Sequence, residues 1–263
     1  MTLDIRHLSV QIDGRAVLDD VSLRLGAGER LGIIGGSGSG KTLTALAVLG
    51  LLPRGAEASG QVLLDGVDVL ALDDRELAAL RGDRVGIVFQ EPGTALNPLH
   101  RLGRQMTESL ALHYRLDREQ RRLAALELAG RVGLDDAERI LRSYPHQVSG
   151  GQRQRAAIAA AIAAKPGLLI ADEPTTALDV TVQRGVLRLF LELSAQEQQS
   201  LLFISHDLAV VAEVAERVVV LDGGRVVEEG TISAILSAPR HPVTRALIEA
   251  ADAADWQRNG ETP

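Results

Sequence analysis

The sequence contains no cysteine among its 263 residues. Disulfides, thiolate metal sites, iron–sulfur clusters and a cysteine nucleophile are therefore excluded. Aromatic residues make up only 2% of the chain, whereas hydrophobic residues make up 46%. We therefore predict an aliphatic core of the size of one catalytic domain, with or without a smaller lobe.

Long apolar segments are also missing. The longest, Ala156 to Ala164, is bounded by Arg155 and Lys165 and is far shorter than the roughly 20 residues that cross a bilayer. Asp4 and Arg6 interrupt the N-terminus where a signal peptide needs an unbroken apolar run, so we expect neither a membrane span nor export. The net charge of -7 disfavours a nucleic-acid partner, because nucleic-acid-binding domains usually carry a basic face.

The apolar pattern predicts an α/β protein. The N-terminal segment is predicted to form two antiparallel strands, joined by a tight turn at Asp13-Gly14. Over about residues 91–165, apolar residues recur at helical spacing and no convincing strand pattern appears. The residues that follow alternate between strand and helix patterns, which indicates a mainly parallel core sheet. We therefore predict a domain over 1–240 that contains a helical subdomain at about 91–165, and a C-terminal helix and polar tail over 241–263.

A glycine-rich phosphate-binding loop lies between a predicted strand and a predicted helix. Its sequence, GGSGSGKT, fits the pattern G-x-x-x-x-G-K-[ST], and this context disfavours a merely flexible glycine loop. Backbone N–H groups would surround the phosphates of ATP, Lys41 would add positive charge, and Thr42 would place its hydroxyl on Mg²⁺. The predicted binding residues are Gly35, Gly36, Ser37, Gly38, Ser39, Gly40, Lys41 and Thr42.

Two carboxylates end the apolar strand LLIADEP. Such a position lies at the carboxyl edge of a sheet, where α/β proteins bind ligands, so we expect these carboxylates beside the phosphate loop. Asp172 would hold Mg²⁺ through water, and Glu173 would polarise the attacking water. An Asp-Glu pair alone is more often a helix cap or a solvated turn, but the upstream phosphate loop favours the catalytic interpretation.

Single polar side chains end two further apolar strands. Gln90 follows VGIVF and His206 follows LLFIS. We expect Gln90 to contact Mg²⁺ or the attacking water, and His206 to hydrogen-bond the γ-phosphate as charge develops there. A lone histidine after a strand is more often an ordinary loop residue, and the other five histidines show no metal-ligand spacing.

A second candidate phosphate binder lies more than a hundred residues downstream. Ser149 is a suitable N-cap, and Gly150 and Gly151 allow close backbone approach at the start of the helix that contains Gln152. Together with the phosphate loop, Gln90, LLIADEP, His206 and TALD ending at Asp179, the segment VSGGQ resembles the ATP-binding cassette (ABC) family. The order and spacing agree from about residue 3 to residue 235.

This resemblance implies a P-loop ABC-ATPase fold and a site shared by two chains. In the family, two cassettes dimerise head to tail, and the signature helix of one covers the γ-phosphate held by the other. Ser149 to Gln152 would therefore serve the ATP of a second ABC ATPase subunit, either an identical copy or a related chain. Asp179 would lie at that dimer interface and help communication between the two ATP sites.

The chain is most similar to the ATPases of peptide and nickel importers, and especially to the dipeptide/oligopeptide group. The segments QEPGTALNPLHRLGRQ and SYPHQVSGGQRQR support this branch. The resemblance implies a location on the cytoplasmic face of the plasma membrane, beneath two integral-membrane permeases and an external solute-binding protein. The helical subdomain would carry the groove into which the permeases dock.

Three other functions are alternatives to peptide uptake. Nickel or metal-chelate import stays open, because the ATPase does not contact the cargo. A soluble ABC protein acting on nucleic acid or the ribosome is disfavoured, since the chain has no second cassette, long coiled-coil insertion or zinc-binding cysteines. A bare P-loop kinase or a regulatory ATP sensor is disfavoured by Glu173 and the signature segment.

Ile12 occupies about the position where most ABC cassettes stack an aromatic ring on adenine. An isoleucine packs against a base but cannot stack as a π system. We therefore predict weak discrimination between ATP and GTP, measured as the two hydrolysis rates of the purified protein. A strong preference for ATP would contradict this prediction.

Overall fold

The computed structural model describes residues 1–90, 95–176 and 178–259. These residues form two compact units, one made of Met1–Leu72 with Ser200–Pro263 and the other of Asp73–Gln199. The start of the predicted helical subdomain, at 91–94, and the end of the predicted tail, at 260–263, lie outside the described residues. The predicted domain boundaries stay predictions.

Among its described residues, the first unit contains eight strands, which belong to two sheets. The strands are β1 (Leu3–Ile12), β2 (Arg15–Leu25), β3 (Arg30–Gly35), β4 (Ala56–Leu64), β5 (Val67–Asp68), β8 (Ser200–Ser205), β9 (Arg217–Asp222) and β10 (Arg225–Thr231). The antiparallel sheet has the order β2-β1-β4-β5, and the other has the order β10-β9-β3-β8. Within the latter, β3 pairs in parallel with both β8 and β9, whereas β10 is antiparallel to β9.

The predicted hairpin at the N-terminus is confirmed. Asp13 and Gly14 connect β1 to β2 with φ values of 50° and 73°. Two successive positive φ values match the twist of the flanking strands, which is why Asp-Gly is favoured in two-residue hairpins. The same dipeptide at Asp65-Gly66, with φ values of 46° and 84°, connects β4 to β5.

The part of the first unit that the structure describes also contains four α-helices. They are α1 (Lys41–Val48), α9 (Leu208–Val214), α10 (Ile232–Ser237) and α11 (Pro242–Asn259). Helix α9 packs on β3 and β8, and Gly32 permits this because a Cβ at that position would lie 2.3 Å from Val211 Cγ1. Helix α11 lies in the segment where a C-terminal helix was predicted and continues to Asn259, because no glycine or proline interrupts it before Gly260.

The second unit combines one strand pair with helices. Strands β6 (Val85–Val88) and β7 (Leu168–Asp172) pair in parallel. The helices are α2 (Asp74–Leu80), α3 (Leu102–Met106), α4 (Glu108–His113), α5 (Arg118–Arg131), α6 (Ala137–Arg142), α7 (Gly150–Ile162) and α8 (Val180–Glu197). The described residues from 95 to 165 contain helices and no strand.

The core is aliphatic, in keeping with the composition. Strands β7 and β8 are buried along their whole length, as expected for parallel strands covered on both faces. Phe190 and Phe203 are the largest fully buried side chains among the described residues. No helix in the described ranges has the length and apolar character that crossing a bilayer requires.

Glu228 on β10 connects this strand to the start of α11. Its carboxylate accepts hydrogen bonds from the backbone N–H groups of Arg240 (2.8 Å) and His241 (2.9 Å) and from the Thr244 hydroxyl (2.5 Å). Burial raises the pKa of Glu228, but these hydrogen bonds, together with the charge of Arg240, hold the pKa below its ordinary value of 4.5.

We predict that Glu228→Gln lowers the free energy of unfolding at pH 7, because the ionised carboxylate is the better acceptor. A lowered pKa in the folded state gives stability that is present above pH 4.5 and is lost as the pH falls through the folded-state value. The difference between wild type and variant, measured by urea unfolding from pH 7 to pH 3, should therefore shrink on acidification. The matched control is Glu213→Gln, on the exposed face of α9; a pH-independent difference would contradict the prediction.

Candidate functional site: a phosphate loop, two strand-end carboxylates and a capped helix

The phosphate loop connects β3 to α1 in the first unit, as predicted. Gly38 and Gly40 have φ values of 76° and 101°, which few other residues adopt. A Cβ on Gly40 would lie 2.3 Å from Leu18 Cδ2, and one on Gly35 would lie 2.2 Å from the Leu221 carbonyl oxygen. These two glycines are therefore required by packing within the chain.

The other two glycines of the loop face open space. A Cβ on Gly36 or Gly38 would meet no atom within 4 Å, so the backbone there is accessible to a ligand. Gly40 caps α1 without any side-chain hydrogen bond from the described residues. The N–H groups at a helix start without a side-chain cap attract anions such as phosphate.

Two side chains of the loop also fit a phosphate ligand. Lys41 Nζ donates to the carbonyl oxygens of Gly35 and Gly36, each at 2.9 Å, which holds the ammonium group at the loop. Ser39 Oγ is buried and has no hydrogen-bond partner among the described residues. A buried hydroxyl of this kind is costly unless a ligand or water completes its hydrogen bonding. Thr42 is exposed in the first turn of α1.

His206 directly follows β8 and is exposed. Since β3 and β8 are neighbouring parallel strands, the phosphate loop and His206 both leave the carboxyl edge of the same sheet, as predicted. Asp207 then caps α9 by accepting hydrogen bonds from the N–H groups of Ala209 and Val210. Ile12 is the last residue of β1 and is half-buried.

The parallel strands of the second unit bring Gln90 and Glu173 together. Gln90 lies two residues beyond β6, and Glu173 follows β7. Gln90 Nε2 donates to Glu173 Oε2 at 3.1 Å. Asp172 is the last residue of β7 and directly precedes Glu173. It is only 2% exposed, so its carboxylate is buried.

Glu173 has a second donor that the sequence reasoning missed. Thr176 Oγ1 donates to Glu173 Oε2 at 3.1 Å. Glu173 also has a φ of 46°, a left-handed conformation that is uncommon outside glycine and is often found at functional sites. The sequence signal for the contact between Thr176 and Glu173 was their three-residue spacing in a turn that contains Pro174.

The signature segment, Ser149–Gln152, forms a capping box at the start of α7. Ser149 Oγ accepts from the Gln152 N–H at 3.2 Å, and Gln152 Oε1 accepts from the Ser149 N–H at 3.1 Å. The predicted N-cap is thus confirmed. A Cβ on Gly150 would lie 4.0 Å from Arg153 Nη2, an ordinary contact, whereas a Cβ on Gly151 would lie 3.1 Å from Val182 Cγ1. Gly151 therefore also has a packing role within the chain.

Gln154 on the signature helix and Asp179 at the start of α8 make further hydrogen bonds in the second unit. Gln154 is 1% exposed, and its Nε2 donates to the Pro174 carbonyl oxygen at 2.6 Å, which joins α7 to the segment after Glu173. Asp179 caps α8 by accepting from the Val182 N–H at 2.9 Å. The sequence reasoning missed both the Gln154 contact and the capping role of Asp179.

The described residues contain no cluster of three or more His, Asp or Glu side chains that could hold a metal ion. Mg²⁺ commonly uses only one or two protein ligands and completes its shell with water and substrate phosphates. The Mg²⁺ ligands predicted from the sequence, Thr42, Gln90 and Asp172, stay a prediction.

Comparison with known proteins identifies the family. Residues 18–176 match the ABC transporter family, and the chain belongs to it. A probable peptide ABC transporter ATP-binding protein, y4tR of Sinorhizobium fredii, is 44% identical over 94% of this chain and 76% of its own length. The dipeptide transport ATP-binding protein DppD of Haemophilus influenzae is 45% identical over 94% of this chain and 76% of its own length.

Solved structures agree with this assignment. Dimeric structures of MJ0796, a bacterial ABC transporter cassette, superpose with a TM-score of 0.78 at 31% identity and cover 88% of this chain and 98% of that protein. One of them is a post-hydrolysis state bound to ADP and Pi. The predicted fold, an α/β ABC cassette with an antiparallel β subdomain, is confirmed.

We predict that Ser149→Ala lowers the free energy of unfolding by about 1 kcal/mol, the usual loss when an N-cap side chain is removed. Thr231→Ala is the matched control, because Thr231 caps α10 with the same geometry, accepting from the Ala234 N–H at 3.2 Å. Urea unfolding should give similar losses for both variants. An unchanged midpoint for Ser149→Ala would show that the capping box does not stabilise α7.

Proposed function

We propose that this chain is the ATP-hydrolysing subunit of an ABC importer that takes up dipeptides or oligopeptides. The names of the relatives from Sinorhizobium fredii and Haemophilus influenzae support transport of peptides. The single observation that carries the catalytic assignment is the pair formed by Gln90 and Glu173, which follow neighbouring parallel strands and are 3.1 Å apart.

The phosphate loop would bind ATP through its backbone N–H groups. Lys41 would turn its ammonium group from the loop carbonyls to the phosphates and offset their negative charge. Ser39 would gain a hydrogen-bond partner for its buried hydroxyl. Thr42, Asp172 and Gln90 would hold Mg²⁺, which supplies charge neutralisation at the phosphates when bound.

Glu173 would act as the general base. Its carboxylate accepts the proton of the attacking water, while Gln90 and Thr176 hold Oε2 in a fixed orientation. His206 would donate a hydrogen bond to the γ-phosphate as negative charge accumulates there. The hydrolysis yields ADP and inorganic phosphate.

The signature segment would act on the nucleotide of a second ABC ATPase subunit. The N-terminus of α7 carries two glycines and a partial positive charge, and a Cβ on Gly150 would approach no atom closer than Arg153 Nη2, at 4.0 Å. ATP would therefore bring two cassettes together, and loss of the γ-phosphate would let them separate. The dimeric MJ0796 structures support this arrangement.

The same proposal covers the remaining partners and the location. Two integral-membrane permeases would carry the peptide, an external solute-binding protein would deliver it, and this subunit would lie on the cytoplasmic face of the plasma membrane. The permeases and the solute-binding protein would determine which solute is transported.

Glu173→Gln tests the catalytic assignment. Removing the general base should lower the ATPase rate at least about 100-fold and leave an ATP-bound dimer that light scattering detects. The matched control is Glu127→Gln, an exposed carboxylate on α5, which should keep the wild-type rate. Full ATPase activity in Glu173→Gln would contradict the base assignment, and a monomer at saturating ATP would contradict the shared site.

A further inference from the structure

A β-bulge at Val17 changes the direction of the side chains at the start of β2. The last three residues of β1 pair with residues of β2 that are not consecutive, namely Val10 with Leu18, Gln11 with Ala16 and Ile12 with Arg15. Val17 is thus the extra residue, and an extra residue reverses the alternation of the side chains beyond it. Arg15 therefore lies on the same face of the sheet as Ile12 and Leu18.

This face extends from the phosphate loop to the tip of the hairpin. Leu18 is fully buried, and a Cβ on Gly40 of the loop would lie 2.3 Å from Leu18 Cδ2. Ile12 is half-buried and Arg15 is exposed, so the face opens to solvent at the tip. The three residue steps from Leu18 to Arg15 span roughly 10 Å, about the length of a ribose with its first phosphate. A nucleotide with its phosphates at the loop would therefore have its base beside Ile12 and Arg15.

Arg15 is the planar group of the row of side chains at this tip. Directly paired residues of antiparallel strands have Cβ atoms about 5 Å apart, so Ile12 and Arg15 form one continuous surface. On its other side Ile12 pairs with Ala56, which is too small to cover a base. The Arg15 side chain forms no ion pair or hydrogen bond with the residues that the structure describes. Its guanidinium group is therefore accessible to a ligand.

We propose that Arg15 is the residue that holds the nucleotide base, with its guanidinium group flat on the purine ring beside Ile12. A planar cation over an aromatic ring is attracted by the ring's π electrons. Adenine and guanine both offer this face, so the contact stabilises both bases. It thus gives a physical reason for the weak discrimination between ATP and GTP expected from Ile12. The inference rests on the proposed function, because it requires nucleotide phosphates at the phosphate loop.

Binding of three ligands to the purified full-length protein separates the base from the phosphates. The ligands are ATP, GTP and inorganic tripolyphosphate, which has no base, and isothermal titration calorimetry in the presence of Mg²⁺ gives each Kd. Arg15→Gln should raise the Kd of ATP and of GTP by about fivefold and leave that of tripolyphosphate unchanged. Retained binding of tripolyphosphate also shows that the phosphate loop of the variant is folded.

Arg15→Tyr replaces the cation with an uncharged planar group. Because an aromatic ring also stacks on a purine, this variant should bind ATP and GTP within about twofold of the wild-type Kd. Arg24→Gln is the matched control. Arg24 is exposed near the other end of β2, opposite Asp4, so the variant removes the same charge from the same strand but away from the tip. It should change none of the three Kd values by more than about twofold.

Four results would overturn the assignment of Arg15: unchanged nucleotide binding in Arg15→Gln, an equal loss of tripolyphosphate binding, a loss confined to one of the two nucleotides, or weak nucleotide binding in Arg15→Tyr. The proposed function fails in a different way. In that case the wild-type protein binds none of the three ligands, or Lys41→Ala binds them as tightly as the wild type does. ATP binding that depends on Lys41 but not on Arg15 would contradict the assignment of Arg15 alone.

Discussion

The attraction between phosphate oxygens and backbone N–H groups at helix starts is the interaction on which the proposed activity depends. Two helix starts with adjacent glycine-rich segments lie among the described residues, those of α1 and α7. Helix α1 begins at Lys41 after a glycine-rich loop and has no side-chain cap among the described residues, whereas α7 is capped by Ser149. An uncapped start can surround phosphate within its own chain, and a capped, glycine-rich start can present a fixed dipole to the nucleotide of another chain.

The carboxylate of Glu173, the proposed general base, is held by hydrogen bonds in a segment that also contacts the signature helix. Glu173 Oε2 accepts from Gln90 and Thr176, and the next residue, Pro174, accepts through its carbonyl from the buried Gln154 of α7. A displacement at the start of α7 would therefore also displace the segment that carries Glu173, the proposed general base. Asp179 lies close to the same helix start. It caps α8 by accepting a hydrogen bond from the Val182 N–H, and the Val182 side chain lies near Gly151.

The local motifs could be predicted from sequence because each depends on neighbouring residues. The Asp13-Gly14 turn, the phosphate loop between β3 and α1, and the Ser149 cap all follow from backbone requirements within a few positions. Strand β10 was missed, because its residues from Arg225 to Thr231 are largely polar. The contacts of Gln154 with Pro174 and of Gly151 with Val182 join residues 20 or more positions apart, and only the folded chain reveals them.

Mixing two inactive variants tests the shared site most directly. Lys41→Ala removes the cation of the phosphate loop, and Ser149→Arg blocks the signature segment, so each protein alone should lack ATPase activity. In a head-to-tail dimer, one of each variant leaves one site with both halves intact, and the mixture should recover up to about a quarter of the wild-type rate. A mixture no more active than its components would contradict the account, because each polypeptide would then need both elements for its own ATP.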